Sequence, residues 1–446
     1  MYKSLHPLLY ILYRFLKGVV LASFHTFFSR IIVRNKEYLK LDRPTILVSN
    51  HPNTLMDPLN AASRVSKVVY FLANAGLFKH PLMNKVLSKL YCIPVERPKD
   101  VEGRRISNED NFKKCYDFLE EGGCLYIAPQ GGSKIMWRIG KIKTGTARIA
   151  LGAENQNDFK LGLQIVVVGL TYSDPISFRS QVIIQGGSPI LVGDYMDSYQ
   201  SDPYKAAKQL TADIKQKMES LVIHSPDEEG EIVLKQIVQL ESSERPKSFV
   251  KTFEKAQEIA QKVSTWRAQQ IEGYHQFQQK SQSYFDALEQ KSLKDSALVK
   301  SQVKPSTSWG LQNVFCALLA PLFAIGWLNH ALANGIPWLL VKKLNLYIGY
   351  TSNVKLLTAL FTYPIFYGLQ IWLVHRLGGS PGMTLGYVLF LVLSGLFTSW
   401  FMTYYANLKE ERLARRLRKS EPSTYQALFD NRSKLLSLLQ EAKIIY

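Results

Sequence analysis

Residues 49–58 read SNHPNTLMDP and set an imidazole, His51, and a carboxylate, Asp57, within one turn and helix start, directly after the β-branched run TILVS at 45–49. A histidine at a strand end can serve as a general base when a nearby carboxylate fixes its tautomer and stabilises the imidazolium. The same pair could in principle ligate a metal, but no second histidine lies at ligand spacing, so no metal is expected. Four cysteines, Cys92, Cys115, Cys124 and Cys316, form no C-x-x-C pair, which argues against a zinc ribbon or a disulfide framework and for reduced thiols. There is no G-x-x-x-x-G-K-[ST] loop, no G-x-G-x-x-G and no H-E-x-x-H, so nucleotide hydrolysis, dinucleotide binding and zincin chemistry have no support.

The pair needs a frame to hold it. From Pro44 onward short apolar or β-branched runs at 45–49, 67–73, 124–128, 163–172 and 182–187 alternate with helix-sized connections, which predicts an α/β domain with a sheet at its centre. Residues 203–222 carry apolar residues at helical spacing and are expected to close that domain near 225, giving a unit over 40–225. Ahead of it, residues 5–29 are apolar and aromatic with Arg14 and Lys17 as islands. That pattern favours an N-terminal helix lying in a membrane interface within 1–39, with a helix capping the core as the other reading. The start lacks the order of a cleavable signal, so no exported form is expected.

Behind the domain, 226–304 is polar and rich in Gln and Lys, yet Val250, Phe253, Ala256, Ile259, Ala260, Val263 and Trp266 step by three or four, which predicts helices, read as a structural hairpin. Residues 305–341, 356–375 and 377–408 each run without Asp, Glu, Lys or Arg, long enough to cross about 30 Å of hydrocarbon, and make 305–408 a membrane segment followed by a basic tail at 409–446. The polar interruptions Asn329, His330, Asn334, Gly335 and Pro337 suggest that 305–341 is a broken re-entrant pair, which would put every basic cluster except Arg376 on one side. His330 and His375, near a break and an end, are read as solvated at the interface. Lys plus Arg total 55 against 36 acidic residues, a net charge of +19. This suits an anionic partner, and with no recognisable nucleic-acid module, membrane phospholipid is the partner expected.

Asn50, His51 and Asp57 resemble the first motif of the glycerolipid acyltransferase family, usually written Asn-His-x4-Asp, and three further blocks follow in the family's order. CIPVERPKD (92–100) resembles the second, with Arg97 at its basic position. IAPQGGSK (127–134) resembles the third, usually Phe-Pro-Glu-Gly, with KIKTGTARIAL (141–151) as its downstream extension. VVVGLTY (166–172) leading to GGSPI (186–190) resembles the fourth. The resemblance covers about 40–225 and implies a mixed-sheet acyltransferase domain. Two positions depart from the pattern: five residues separate His51 from Asp57 instead of four, and Gln130 stands where the family has Glu, keeping an acceptor oxygen but losing the charge.

What the resemblance implies is acyl transfer from a thioester, acyl-coenzyme A or acyl carrier protein, to a hydroxyl of lysophosphatidic acid, giving phosphatidic acid, without a covalent acyl-enzyme or any cofactor. His51 would be the base and Asp57 its orienting partner. Asn50, Arg97, Gln130, Lys143 and Gly145 would bind substrate, with Arg97 and Lys143 on the phosphate and Gly131 and Gly132 offering backbone N–H groups to an anion. Glycerol-3-phosphate or another lysophospholipid is the alternative acceptor. A non-catalytic protein binding anionic lipid in the same pocket is the alternative class. The site would face the cytoplasm, at the inner membrane in a bacterium.

Overall fold

The computed structural model describes residues 7–87, 91–96, 109–303 and 307–445. Two compact units divide the chain: the first holds residues 1–226 together with 346–353, the second 227–345 and 354–446.

The first unit is built on one eight-stranded sheet. Its strands are β1 (Arg30–Arg34), β2 (Thr45–Ser49), β3 (Val69–Asn74), β4 (Cys92–Val95), β5 (Cys124–Ile127), β6 (Gln164–Tyr172), β7 (Gln181–Gly186) and β8 (Ile190–Leu191), in the spatial order β1-β7-β6-β2-β5-β3-β4 with β8 beside β6. All pairings are parallel except β6 with β7 and β6 with β8. The sheet is therefore mixed. Every residue of β2 is buried, as the unbroken apolar run TILVS requires of a strand covered on both faces. One face packs Ile46, Val48, Leu125, Ile127, Ile165 and Val167 under α4 (Glu109–Glu120), α5 (Gly145–Gln156) and α7 (Pro203–Leu221).

Three strands lay outside the sequence reading, the two-residue β8 among them. β1, ahead of the expected start at 40, pairs along its whole length with β7, and β4, read only as part of a motif, pairs with β3. Two or three apolar residues in a strand of four or five give too short an alternation to stand out. The segment 346–353, counted with the membrane helices on hydropathy, belongs to the first unit.

Helix α1 (Pro7–Phe27) is docked on this unit by polar contacts at the sheet edge. Lys17 Nζ donates to the Val65 carbonyl at 2.6 Å, Tyr13 accepts from Val69 N–H at 3.2 Å, and Tyr91 donates to the Leu9 carbonyl. Leu8, Ile11 and Phe15 remain exposed. Within β6, Gly169 lets the chain end of α7 approach: a Cβ there would lie 2.7 Å from the Leu221 carbonyl oxygen, so any larger residue would push the helix off the sheet.

The second unit is helical. Where 226–304 was expected to form a hairpin, it forms four helices, α8 (Glu228–Glu244), α9 (Phe249–Gln269), α10 (Ile271–Gln290) and α11 (Asp295–Val303). Nor is 409–446 a separate tail. Helix α14 (Pro381–Ser420) runs into it, and α15 (Pro422–Glu441) buries Tyr425, Leu428, Leu435 and Leu439. At their junction Arg432, 2 % exposed, donates to Asp295 Oδ1 at 2.9 Å, to Glu244 Oε2 at 2.7 Å and to the Leu240 carbonyl at 3.2 Å, while Tyr284 donates to Asp295 at 2.5 Å.

Among the described residues four helices are long and apolar enough to cross a membrane: α1, α12 (Thr307–Leu344), α13 (Thr351–Arg376) and α14. The expected break in 305–341 does not occur, since α12 is continuous through its polar residues and through Pro321 and Pro337. Neighbouring helices answer those polar groups. Asn329 Oδ1 accepts from Tyr387 at 2.8 Å, Asn334 Oδ1 accepts from Tyr363 at 2.6 Å, and His330 pairs with Tyr367 at 2.6 Å and Ser394 at 3.1 Å. His330 is thus buried between helices and not solvated at an interface. The one-sided arrangement of basic clusters, which needed the break, no longer follows.

Removing one partner of a buried ion pair strands the other. Arg432→Ala is expected to lower the unfolding free energy by about 3–5 kcal/mol, read from denaturant curves in detergent. Replacing both Arg432 and Asp295 by Leu should cost clearly less.

Candidate active site

β2 lies between two parallel neighbours, β5 and β6, so residues 50–57 leave from the carboxyl end of a central strand, where side chains from several elements converge. β6 runs further than β2: Ser49 is level with Val168, and Gly169–Tyr172 project beyond it. Asn50 uses this overhang. Its side chain donates to the Leu170 carbonyl at 2.8 Å and accepts from Leu170 N–H at 2.7 Å. The sequence reading gave Asn50 to substrate, but these two bonds tie the departing loop to β6.

The loop then sets the imidazole against the carboxylate. His51 Nδ1 lies 3.0 Å from Asp57 Oδ2, so the sixth position along the chain reaches as well as the family's fifth. The longer loop is accommodated at Thr54, which adopts φ +34°, a region that a β-branched residue avoids unless its surroundings hold it there. Its N–H donates to Ser133 Oγ at 3.0 Å. Asp57 is fully buried and every contact it makes is to a donor: besides His51, Asn53 N–H reaches Oδ2 at 2.6 Å and the Tyr172 hydroxyl reaches Oδ1 at 2.7 Å. Burial, reinforced by the Asp57 charge, holds the phenols of Tyr172 and Tyr126 well above their usual range, so both remain donors.

The loop after β5 grips the backbone of the same histidine. His51 N–H donates to Gln130 Oε1 at 2.9 Å, and the His51 carbonyl accepts from Lys134 N–H at 3.1 Å. Gln130 therefore needs its acceptor oxygen and not a charge. Gly131 has φ +67°, a conformation that favours glycine, and a Cβ on it would stand 3.1 Å from Lys143 Nζ, which lies over the loop. Lys143 is exposed, its own N–H donates to the Pro129 carbonyl at 2.9 Å, and Gly145 opens α5 two residues on. Gly131 N–H is taken by the Ala128 carbonyl, which differs from its expected role as an anion donor. Gly132 lies in the bend that follows. Arg97 lies outside the described residues.

Three groups escaped the sequence reading: Tyr172, Asn53 and Ser133. Tyr172 closes the fourth block, and a hydroxyl at the end of the longest strand was its one signal. Among the described residues no three of His, Cys, Asp and Glu converge as metal ligands. Burial pushes the Cys92 thiol up to about 11 and those of Cys115 and Cys124 up to about 12, too high for a thiolate nucleophile at neutral pH. The literal G-x-S-x-G at 378–382 is a turn between α13 and α14, where Ser380 accepts Met383 N–H at 3.3 Å as a helix cap. What the arrangement can do is take a proton: a carboxylate that accepts from all sides keeps a hydrogen on Nδ1 and leaves Nε2, on a side chain 17 % exposed, to act as base.

Residues 30–173 match the family model described as Acyltransferase. The chain is similar to glycerol-3-phosphate O-acyltransferase 2 of Saccharomyces cerevisiae, 32% identical over 163 residues that cover 36% of this chain and 19% of that one. It is also similar to the chloroplastic 1-acyl-sn-glycerol-3-phosphate acyltransferase LPAT1 of Arabidopsis thaliana, 27% identical over 124 residues, 28% of this chain and 33% of that one. The matches thus span a fifth to a third of those relatives' lengths. Among solved structures, the 1-acyl-sn-glycerophosphate acyltransferase of Thermotoga maritima aligns over 47% of this chain and 79% of its own with 18% identity and a TM-score of 0.33.

The Tyr172 hydroxyl donates to a fully buried carboxylate, and such a bond contributes about 1.5–3 kcal/mol. Tyr172→Phe should lower stability by about that amount in thermal unfolding, whereas Tyr204→Phe, on an exposed ring, should leave the melting temperature unchanged.

Proposed function

We propose that this chain, whose residues 30–173 match the Acyltransferase family model, is an acyltransferase that moves a fatty acyl group from a thioester donor to the free hydroxyl of lysophosphatidic acid, giving phosphatidic acid. The single observation that carries the reading is the His51 Nδ1 to Asp57 Oδ2 contact of 3.0 Å on a buried, donor-saturated carboxylate. Nε2 takes the hydroxyl proton as the oxygen attacks the thioester carbonyl. The resulting tetrahedral oxyanion collapses with cleavage of the C–S bond, and the proton passes from the imidazolium to the departing thiolate. Asp57 stabilises the imidazolium between these events and keeps its ring from turning. No acyl-enzyme is needed, in keeping with the high thiol values at Cys92, Cys115 and Cys124.

An exposed Lys143 over the Gly131 turn supplies a cation for the acceptor's phosphate, with Arg97 as a second. Membrane association supports a lipid acceptor, since one acyl chain of lysophosphatidic acid already holds it in the bilayer, and a net charge of +19 concentrates anionic head groups at the surface. Thioesters of coenzyme A or of acyl carrier protein are cytoplasmic, which supports a site on that side. Glycerol-3-phosphate is the second reading, favoured by the 32% identity to a yeast glycerol-3-phosphate acyltransferase.

Purified full-length chain in liposomes, given labelled acyl-coenzyme A or acyl carrier protein, should convert lysophosphatidic acid to labelled phosphatidic acid. His51→Ala should lower kcat by about 10³-fold or more, the scale lost with an essential base. Label in lysophosphatidic acid when glycerol-3-phosphate is offered would move the assignment to the second reading. Transfer that survives His51→Ala, or transfer to neither acceptor, would overturn the proposal.

A further inference from the structure

The loop that carries His51 and Asp57 is braced by residues nearly 300 positions downstream. The segment 346–353, part of the first unit, runs from the connection after α12 into the first turn of α13 and reaches both loops of the site. Ser352 Oγ donates to Asn53 Oδ1 at 2.6 Å, and Asn53 is the residue whose N–H holds Asp57 Oδ2. Asn353 Oδ1 accepts from Met56 N–H at 3.0 Å, next to Asp57 in the chain. Its Nδ2 donates to Thr54 Oγ1, and to the Gly349 carbonyl at 3.1 Å. On the other loop, Ile135 N–H donates to the Tyr347 hydroxyl at 3.1 Å, two residues after Ser133, which in turn accepts from Thr54. Ser352 and Asn353 are 0 % and 5 % exposed.

The bonds from Ser352 to Asn53 and from Asn353 to Thr54 and Met56 meet the stretch 53–56, where Thr54 is held at positive φ. A five-residue connection has more ways to place Asp57 than a four-residue one, and the bonds to Asn53, Thr54 and Met56 remove that freedom. We infer that Ser352 and Asn353 are positioning residues for the His51–Asp57 pair, holding the lengthened loop in the shape that brings the carboxylate to the imidazole. Neither touches His51 or the reacting atoms, so they act through Asn53, Thr54 and Met56. The inference rests on the proposed acyl transfer for its kinetic consequences but not for its structural ones. It makes the acyltransferase site discontinuous: residues 30–173 contain the chemistry, and 346–353 complete its geometry.

The test uses full-length wild type, Ser352→Ala, Ser352→Thr and Asn353→Ala in liposomes, with two readouts. Hydrogen exchange of the peptide covering 50–60 should quicken about tenfold or more in Ser352→Ala and Asn353→Ala and stay near wild type in Ser352→Thr, which keeps the hydroxyl. In acyl transfer the same two variants should lose about tenfold or more in kcat, with KM for donor and acceptor within about twofold, and Ser352→Thr should recover most of it. Unchanged exchange at 50–60, or wild-type kcat in both variants, would overturn the inference. So would a fall in activity that merely tracks a lower melting temperature, with Ser352→Thr no better than Ser352→Ala. If the wild type transfers acyl groups to no acceptor, the functional reading fails, and the exchange result still decides the bracing.

Discussion

A buried carboxylate held by hydrogen-bond donors is the constraint around which the first unit is arranged. Asp57 is fully buried, and taking such a charge out of water is tolerated only when hydrogen-bond donors surround it. Three donors do so, two from the loop after β2 and one from the end of β6: the His51 ring, the Asn53 backbone and the Tyr172 hydroxyl. That requirement explains why β6 must outrun β2, since a strand ending level with Ser49 would leave Tyr172 too low to reach Oδ1. It also explains the Asn50 clasp on Leu170, which keeps the two strand ends in register where backbone pairing stops.

The two departures from the family pattern find separate physical answers. Gln130 accepts a backbone N–H, a task that an amide oxygen performs as well as a carboxylate. Losing the charge there leaves the bond that fixes His51 in place. The additional residue between His51 and Asp57 is a backbone problem, and its solution is Thr54 at positive φ together with partners on Ser133 and Asn353. Strain of this kind persists only where several contacts over-determine it.

The second unit follows a different rule. Polar side chains within apolar helices are stable when they find one another, and Asn329, His330 and Asn334 on α12 each meet a tyrosine hydroxyl on α13 or α14. Such bonds specify which helix faces meet, because any other rotation would leave the groups unpaired in a medium that offers no water. Arg432 with Asp295, Glu244 and Tyr284 does the same for the polar helices.

Local pattern was enough to read the central strand TILVS, the imidazole and carboxylate behind it, the helix at 203–222 and the three long apolar stretches, because each is written in contiguous residues with a period or a run. The motif order was legible for the same reason. What sequence spacing left undetermined is every partner supplied from a distance: Tyr172 under Asp57, the Leu170 backbone around Asn50, and Ser352 and Asn353 against the loop. Hydropathy placed 346–353 with the membrane helices and the polar residues of 305–341 at a break, since a one-dimensional scale records what a residue is and not what it meets. Tertiary structure decided both, by bringing donors to acceptors that lie tens to hundreds of residues apart, and a buried polar group is at rest only where that meeting occurs.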